Sequence, residues 1–320
     1  MRSHKRWRRQ GRPELPTTLE WLGTATFRLT IGDVVVFLDA YMDRVPAAPP
    51  VGLRTAEVTR ADFVLVGHSH FDHLAGAEVI AANTGARIIG SNESCRVMRE
   101  RGVPDAQLLS SQGGERHRLA DGVTVRVFPS LHACTWVLTD SGCGEEEHGH
   151  TGLTQDERAA VPGGLVQRIT ELATGGTEEG RIILQHVQTS AGSLSDGGPL
   201  VYLIETPEGS IFYQDTSGCW TGVLANIPAD AAILAASGRA NVDGEPVQGS
   251  MAQFLTMEAK TLGATKVVLG HHDNWMPPVT RAGFDIRPVK EEFVKYAPLA
   301  SLIEASYLEP IVLFDRLDPP

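Results

Sequence analysis

Val66-Gly67-His68-Ser69-His70-Phe71-Asp72-His73 packs three imidazoles and one carboxylate into six residues, directly after the apolar run of residues 61–66. That run reads as a buried strand of a β/α sheet, and residues 74–82 read as the helix that follows. His68 and His70, two apart in an extended loop, point the same way, while Asp72 and His73 sit one step further on, where the helix begins. Imidazole nitrogen and carboxylate oxygen are the ligand set that suits Zn²⁺ and related divalent ions. One or two histidines in a loop are ordinary. Four potential ligands in a single strand-to-helix loop mark a candidate metal site.

The pattern His68-x-His70-x-Asp72-His73 resembles the signature of the metallo-β-lactamase superfamily. The resemblance implies a third histidine after a later strand, and residues 123–128 followed by Pro129-Ser130-Leu131-His132 supply it. It implies a bridging aspartate at the end of a hairpin strand, and residues 200–214, turning at Pro207-Glu208-Gly209, lead to Asp215-Thr216. It implies a last histidine after a C-terminal strand, where residues 266–269 run into Gly270-His271-His272-Asp273. The likeness spans residues 19–275 or so, most of the chain.

The opening Glu20-Trp21-Leu22-Gly23-Thr24-Ala25-Thr26-Phe27 is similar to the branch that holds L-ascorbate-6-phosphate lactonase and the N-acylphosphatidylethanolamine phospholipase D type enzymes. Val267-Val268-Leu269-Gly270-His271-His272-Asp273 resembles the same branch's closing segment, which makes His271 the ligand and puts His272 where an aromatic residue is usual. Two positions depart from the pattern. Gln214 replaces the usual glycine before the bridging aspartate, and Ala40 replaces a proline often found after the residue matching Asp39.

Carried over residue by residue, the resemblance implies that His68, His70 and His132 hold one metal, that Asp72, His73 and His271 hold a second, and that Asp215 bridges both. The implied cofactor is a pair of divalent ions, Zn²⁺ first with Mn²⁺ as the alternative. Such a pair acidifies water and polarises the group under attack, so Asp72 and Asp215 count as catalytic as well as ligating. Asp39 is either a hydrogen-bond partner for a ligand histidine or a plain turn residue at its strand end. His272 and Asp273 are the nearest candidate proton donors to a leaving group; the alternative for His272 turns its ring into the core.

At 320 residues and 42% hydrophobic, the chain can bury the core of a four-layer αβ/βα sandwich. No apolar run approaches the ~20 residues needed to span a bilayer. Cys95, Cys134, Cys143 and Cys219 lack CxxC spacing and read as reduced thiols of a cytoplasmic protein, with Cys134 a small packed hydrophobe. Residues 1–12 carry Arg2, Lys5, Arg6, Arg8, Arg9 and Arg12 and no acid, in a chain of net charge −11. Pro13-Glu14-Leu15-Pro16 follows without an apolar stretch, so residues 1–17 read as a flexible solvated segment rather than a leader. An acidic body disfavours nucleic acid as partner. Open sheet edges leave room for a homo-oligomer.

Antiparallel strands are predicted at 18–22, 26–30 and 34–38, and then strand 62–66, helix 74–82, strand 87–90, helix 93–101 and a strand near 124–128. The second half reads as hairpin 200–214, strand 231–234, helix 251–262 and strand 266–269, with Met251, Phe254, Leu255 and Leu262 on one buried helical face. Residues 133–198 interrupt this order as a lid-like insertion within the hydrolase domain of residues 18–320. The insertion carries Glu145–Glu147 beside His148 and His150, an amphipathic helix at 165–172 and an extra strand at 181–188 that includes His186.

Hydrolysis of a lactone, amide or other ester-type bond of a small molecule is therefore the leading expectation. Phosphodiester cleavage on a small or lipid-like substrate is the rival, weakened because no basic cluster adjoins the ligand loops; Arg239 and Arg281 are the nearby arginines. A diiron redox role is disfavoured because His70 stands where diiron relatives generally carry glutamate.

Overall fold

In Leu200–Glu205 successive side chains serve two different cores: Leu200, Tyr202 and Ile204 enter one cluster, Val201 and Leu203 another. A strand's period of two forces this division when both faces are covered. The computed structural model describes residues 16–136, 151–161, 164–280 and 283–314. Among these, the strands form two seven-stranded sheets and one small three-stranded sheet.

The first sheet runs, in spatial order, through Ile311–Val312, Thr18–Trp21, Phe27–Ile31, Val34–Leu38, Phe63–Leu65, Arg87–Gly90 and Leu108–Ser110. The second runs through Ser301–Ile303, Lys266–Gly270, Ala231–Ala235, Ser210–Tyr213, Leu200–Glu205, Val123–Pro129 and Arg116–Ala120. Leu29, Val36 and Leu65 of the first sheet meet Val125, Tyr202, Ile211 and Val268 of the second in a shared core. Outside the first sheet, Phe37, Val64 and Ile88 pack on Ile80 and Met98 of the helices Ala77–Thr84 and Asn92–Glu100. Outside the second, Phe212, Leu234 and Val267 pack on Phe254, Leu255 and Phe293 of Met251–Leu262 and Arg287–Tyr296. The result is the expected αβ/βα four-layer sandwich.

Helix Met251–Leu262 has the predicted bounds for local reasons. Ser250 Oγ accepts a hydrogen bond from the Gln253 amide, the Gln253 side-chain oxygen accepts one from the Ser250 amide, and Gly263 at φ 70° ends the helix. Met251, Phe254, Leu255 and Leu262 are all buried, as their spacing requires.

Two predictions fail. Residues 181–188 form part of a helix, Glu178–Thr189, rather than a strand. Ile182-Ile183-Leu184 resembles a strand run, but Thr177 caps the helix through the Gly180 amide, and Ile183 and Val187 pack one turn apart into a cluster with Ile169 and Leu172. The single helix predicted at 74–82 is two, Phe71–Leu74 and Ala77–Thr84. Gly76 breaks it at φ 104°, where an added Cβ would lie 2.5 Å from the Ala40 carbonyl oxygen.

The insertion holds the helices Gln155–Ala160, Gly164–Thr174 and Glu178–Thr189. Glu145–Glu147, His148, His150, Cys143, Arg281 and the basic residues of the N-terminus lie outside the described residues.

Candidate metal centre

Each side chain singled out as a ligand follows the end of a strand, and the two sheets bring those ends to one edge. His68 follows Phe63–Leu65, His132 follows Val123–Pro129, Asp215 follows Ser210–Tyr213 and His271 follows Lys266–Gly270. Ligand atoms of His68, His70 and His132 lie within 4.8 Å of one another. So do those of His68, His73 and Asp215, and those of Asp72, His73 and His271. All seven predicted ligands thus converge, and His68 and His73 each belong to two of the groups.

The contacts inside the cluster are short. His68 Nδ1 is 2.6 Å from Asp215 Oδ2, and its Nε2 is 3.0 Å from His70 Nδ1. His73 Nε2 and His271 Nε2 are 3.1 Å apart, and Asp72 Oδ2 is 3.5 Å and 3.4 Å from them. The His132 ring centre is 4.7 Å from those of both His68 and His70. His132 Nδ1 donates to its neighbour's carbonyl, Ala133 O, at 2.8 Å, which leaves Nε2 for the cluster.

Backbone features make this convergence sterically feasible. A Cβ on Gly67 would lie 2.1 Å from Asp215 Cγ, so only glycine lets the two sheets present His68 and Asp215 to each other. Asp39 and His271 both adopt positive φ, 53° and 60°, conformations unfavourable for non-glycine residues and tolerated where function holds them. The His271 amide is fixed by the Thr24 carbonyl at 2.6 Å. Asp39 Oδ1 accepts the Gly67 amide at 3.0 Å, and its Oδ2 accepts from His73 Nδ1 at 2.7 Å. Of the two roles open to Asp39, the structure shows the hydrogen-bond partner of His73, a candidate ligand.

Burial, helped by neighbouring imidazoles, holds His68 and His70 well below the usual histidine range, and burial lowers His132 as well. These rings are therefore neutral, the form that binds metal. Burial opposes a charge on His73, yet Asp72, Asp39 and Asp215 outweigh it and raise that ring well above the usual range. Burial likewise opposes ionised Asp72, but His73 and His271 prevail and hold it low. Burial raises Asp215, and burial together with Asp215 pushes Asp39 up to about 6. Three acids are buried in one cluster, which cations would neutralise. Asp215 Oδ1 and His271 Nδ1 are buried without a hydrogen-bond partner. The orphaned carboxylate oxygen, the neutral imidazoles and the hard–borderline donor set together fit divalent metal ions.

His272 does not join the cluster. Its ring stacks on Trp21, with centroids 4.8 Å apart and planes 12° apart, and it faces Phe284 at 5.0 Å. The ring thus lies against aromatic side chains, the alternative to the proton-donor expectation. Cys134 is buried, and burial pushes its thiol up to about 12, as suits an inert packed side chain.

Sequence reasoning missed two supports. Arg44 and Asp273 form a buried ion pair at 2.7 Å, joined by the Tyr307 hydroxyl and the Thr24 amide, and Thr24 is the residue that fixes His271. Ser69, between two ligands, is bound by residues 193–196: its amide donates to Asp196 O, its hydroxyl to Ser195 O, and its carbonyl accepts from Ser193. Ser69 also lies in the ligand motif, but neither partner segment carries a local signal. The insertion also reaches the site through His186, whose Nε2 is 2.8 Å from the Tyr41 hydroxyl and whose ring lies beside Phe71.

Residues 35–160 match the β-lactamase superfamily domain, a stretch that includes Asp39, His68, His70, Asp72, His73 and His132. Over that stretch the chain is similar to the β-lactamase superfamily domain. It is 34% identical over 144 residues to a UPF0173 metal-dependent hydrolase of Pyrobaculum islandicum, covering 43% of this chain and 63% of that relative. It therefore spans less than two thirds of that relative's length. Among solved structures, its fold is similar to Igni18, a metallo hydrolase of Ignicoccus hospitalis, with a TM-score of 0.57 and 15% identity over 93% of this chain and 98% of that one. It is also similar to CmlA, a diiron β-hydroxylase of Streptomyces venezuelae, with a TM-score of 0.55 and 14% identity over 95% of this chain and 55% of that one. Scaffolds of similar fold thus carry different chemistries, so the donor set decides the reading.

Proposed function

We propose that this protein is a metal-dependent hydrolase that uses two divalent cations to open a lactone, amide or other ester-type bond of a small molecule. The observation that carries the reading is Asp215, whose carboxylate touches both His68 and His73 and keeps one buried oxygen unpaired. His68, His70 and His132 would hold one ion, Asp72, His73 and His271 the other, and Asp215 would serve both. Bound there, a pair of such ions supplies Lewis acidity and makes water nucleophilic near neutral pH.

The chain's own residues then have distinct tasks. Asp39 fixes the ring of His73 so that Nε2 faces the cluster, and the Ala133 carbonyl does the same for His132. Burial of the ligands strengthens every charge interaction among them. Zn²⁺ suits the imidazole-rich set best, with Mn²⁺ as the alternative.

Phosphodiester cleavage is the second reading. It is weakened because the Arg239 guanidinium is buried and donates to the Val247 carbonyl. Iron-based redox chemistry is weakened by the imidazole of His70, which adds a third histidine to one side of the cluster. No helix among the described residues is long and apolar enough to cross a membrane. Free, buried Cys95, Cys134 and Cys219 support a cytoplasmic setting.

A hydrolysis screen across lactones, β-lactams, amides and phosphodiesters, run on metal-loaded and metal-stripped protein, tests the proposal. Turnover of an ester-type substrate only when loaded is expected. Activity that survives stripping, or turnover confined to phosphodiesters, overturns it.

A further inference from the structure

Gln214, the residue that stands in place of glycine before Asp215, spends both amide hydrogens on acceptors. Its Nε2 is 2.8 Å from the Gly218 carbonyl and 2.8 Å from Glu258 Oε1. Because the Gly218 carbonyl can only accept, the amide cannot be flipped. Two oxygens are then left over, Gln214 Oε1 and Glu258 Oε2, each buried and without a partner. Glu258 is fully buried on helix Met251–Leu262, whose apolar face packs on the second sheet. Two unpaired buried acceptors on hydrogen-bonded neighbours are costly in an apolar interior, and an ionised carboxylate there would cost more.

One proton removes both costs. We propose that Glu258 is a neutral carboxylic acid whose Oε2–H donates to Gln214 Oε1, closing a two-hydrogen-bond acid–amide pair that positions Asp215. Glu258 and Gln214 are positioning residues here, since neither touches the ligand cluster. The pair ties the end of strand Ser210–Tyr213 to a helix behind it, while the second amide hydrogen ties the same residue to Gly218. Asp215 is thereby fixed from both sides of the turn, facing His68 on the opposite sheet. A glycine at this position would leave the turn without that tie.

The surroundings agree. Burial pushes the Glu258 carboxyl up to about 8, with only the Gln214 hydrogen bond opposing. The titratable group facing it from the neighbouring short strand Gly218–Cys219 is the Cys219 thiol, which burial and then Glu258 and Asp243 push up, so it too is neutral.

The effect on metal binding rests on the function proposed above, whereas the protonation state does not, and two measurements separate them. Infrared difference spectroscopy of the wild type against E258Q at pH 7 reads the proton directly. A carbonyl band of a protonated acid, present in the wild type and lost in E258Q, is expected; its absence from the wild type overturns the pair, whether or not any variant folds. Chelator competition reads metal affinity without any substrate. E258Q, which can make both hydrogen bonds with its own amide, should bind metal like the wild type, and a folded E258A should bind roughly tenfold more weakly or worse. Unchanged affinity in folded E258A, or in Q214A where E258A does not fold, overturns the positioning role. A wild type that binds no metal would instead sink the proposed function and leave the infrared result standing on its own.

Discussion

His73 Nδ1 lies 2.7 Å from Asp39 Oδ2, so a candidate ligand on the short helix Phe71–Leu74 is oriented by an aspartate that follows the adjacent parallel strand, Val34–Leu38. The other oxygen of Asp39 holds the Gly67 amide, which places the start of the ligand loop by the same carboxylate. Asp39→Ala removes both bonds and should weaken metal binding about 10- to 100-fold, with Asp39→Asn milder because its oxygen still accepts from His73. Chelator competition measures this, and equal loss in both variants would assign the effect to charge rather than orientation.

Gly67 is the second point of control. Any side chain there must displace the Asp215 carboxylate, since its Cβ would sit 2.1 Å from Cγ. Gly67→Ala should therefore lower metal occupancy sharply even when circular dichroism shows a folded chain. Full occupancy in Gly67→Ala would mean that the sheets can part at no cost.

His271 and His272 should separate cleanly. His271→Ala removes a ring that meets Asp72 and His73, and one metal equivalent should be lost preferentially. His272→Phe keeps the stack on Trp21 and should leave metal content intact, with any activity changed less than about threefold, within the range of a modest packing change. Metal loss in His272→Phe would shift the ligand assignment by one residue.

Glu258 gives a pH dependence of definite sign. Its carboxyl, ordinarily near 4.5, is pushed up to about 8 in the fold. The unfolded chain releases the proton from about pH 4.5 upward while the folded protein keeps it until about 8, so this group's contribution to stability is whole below that window and falls across it as pH rises. Glu258→Gln has no such proton. The wild-type Tm, measured relative to that of Glu258→Gln, should fall from about pH 5 to about pH 8; a gap constant with pH counts against a buried neutral acid.

Much of the candidate site is legible in the chain because its candidate ligands follow strand ends. A strand followed by His68-x-His70-x-Asp72-His73, and later strands leading to His132, Asp215 and His271, can be read without knowing how the strands pair. What was not legible depends on contacts across the sandwich. Helix Glu178–Thr189 looks like a strand until Ile183 and Val187 are seen packing with Ile169 under a Thr177 cap. The edge strands Ser301–Ile303 and Ile311–Val312 are too short to carry a period. Nothing local joins Arg44 to Asp273, 229 residues apart, or Gln214 to Glu258, 44 apart.

Metal counted per chain by elemental mass spectrometry, in wild type and in Asp215→Ala, tests the centre most directly. Close to two divalent ions per wild-type chain, falling well below two in Asp215→Ala, is the expected result. A purified wild type that carries none and takes up none from Zn²⁺ or Mn²⁺ solution would contradict it.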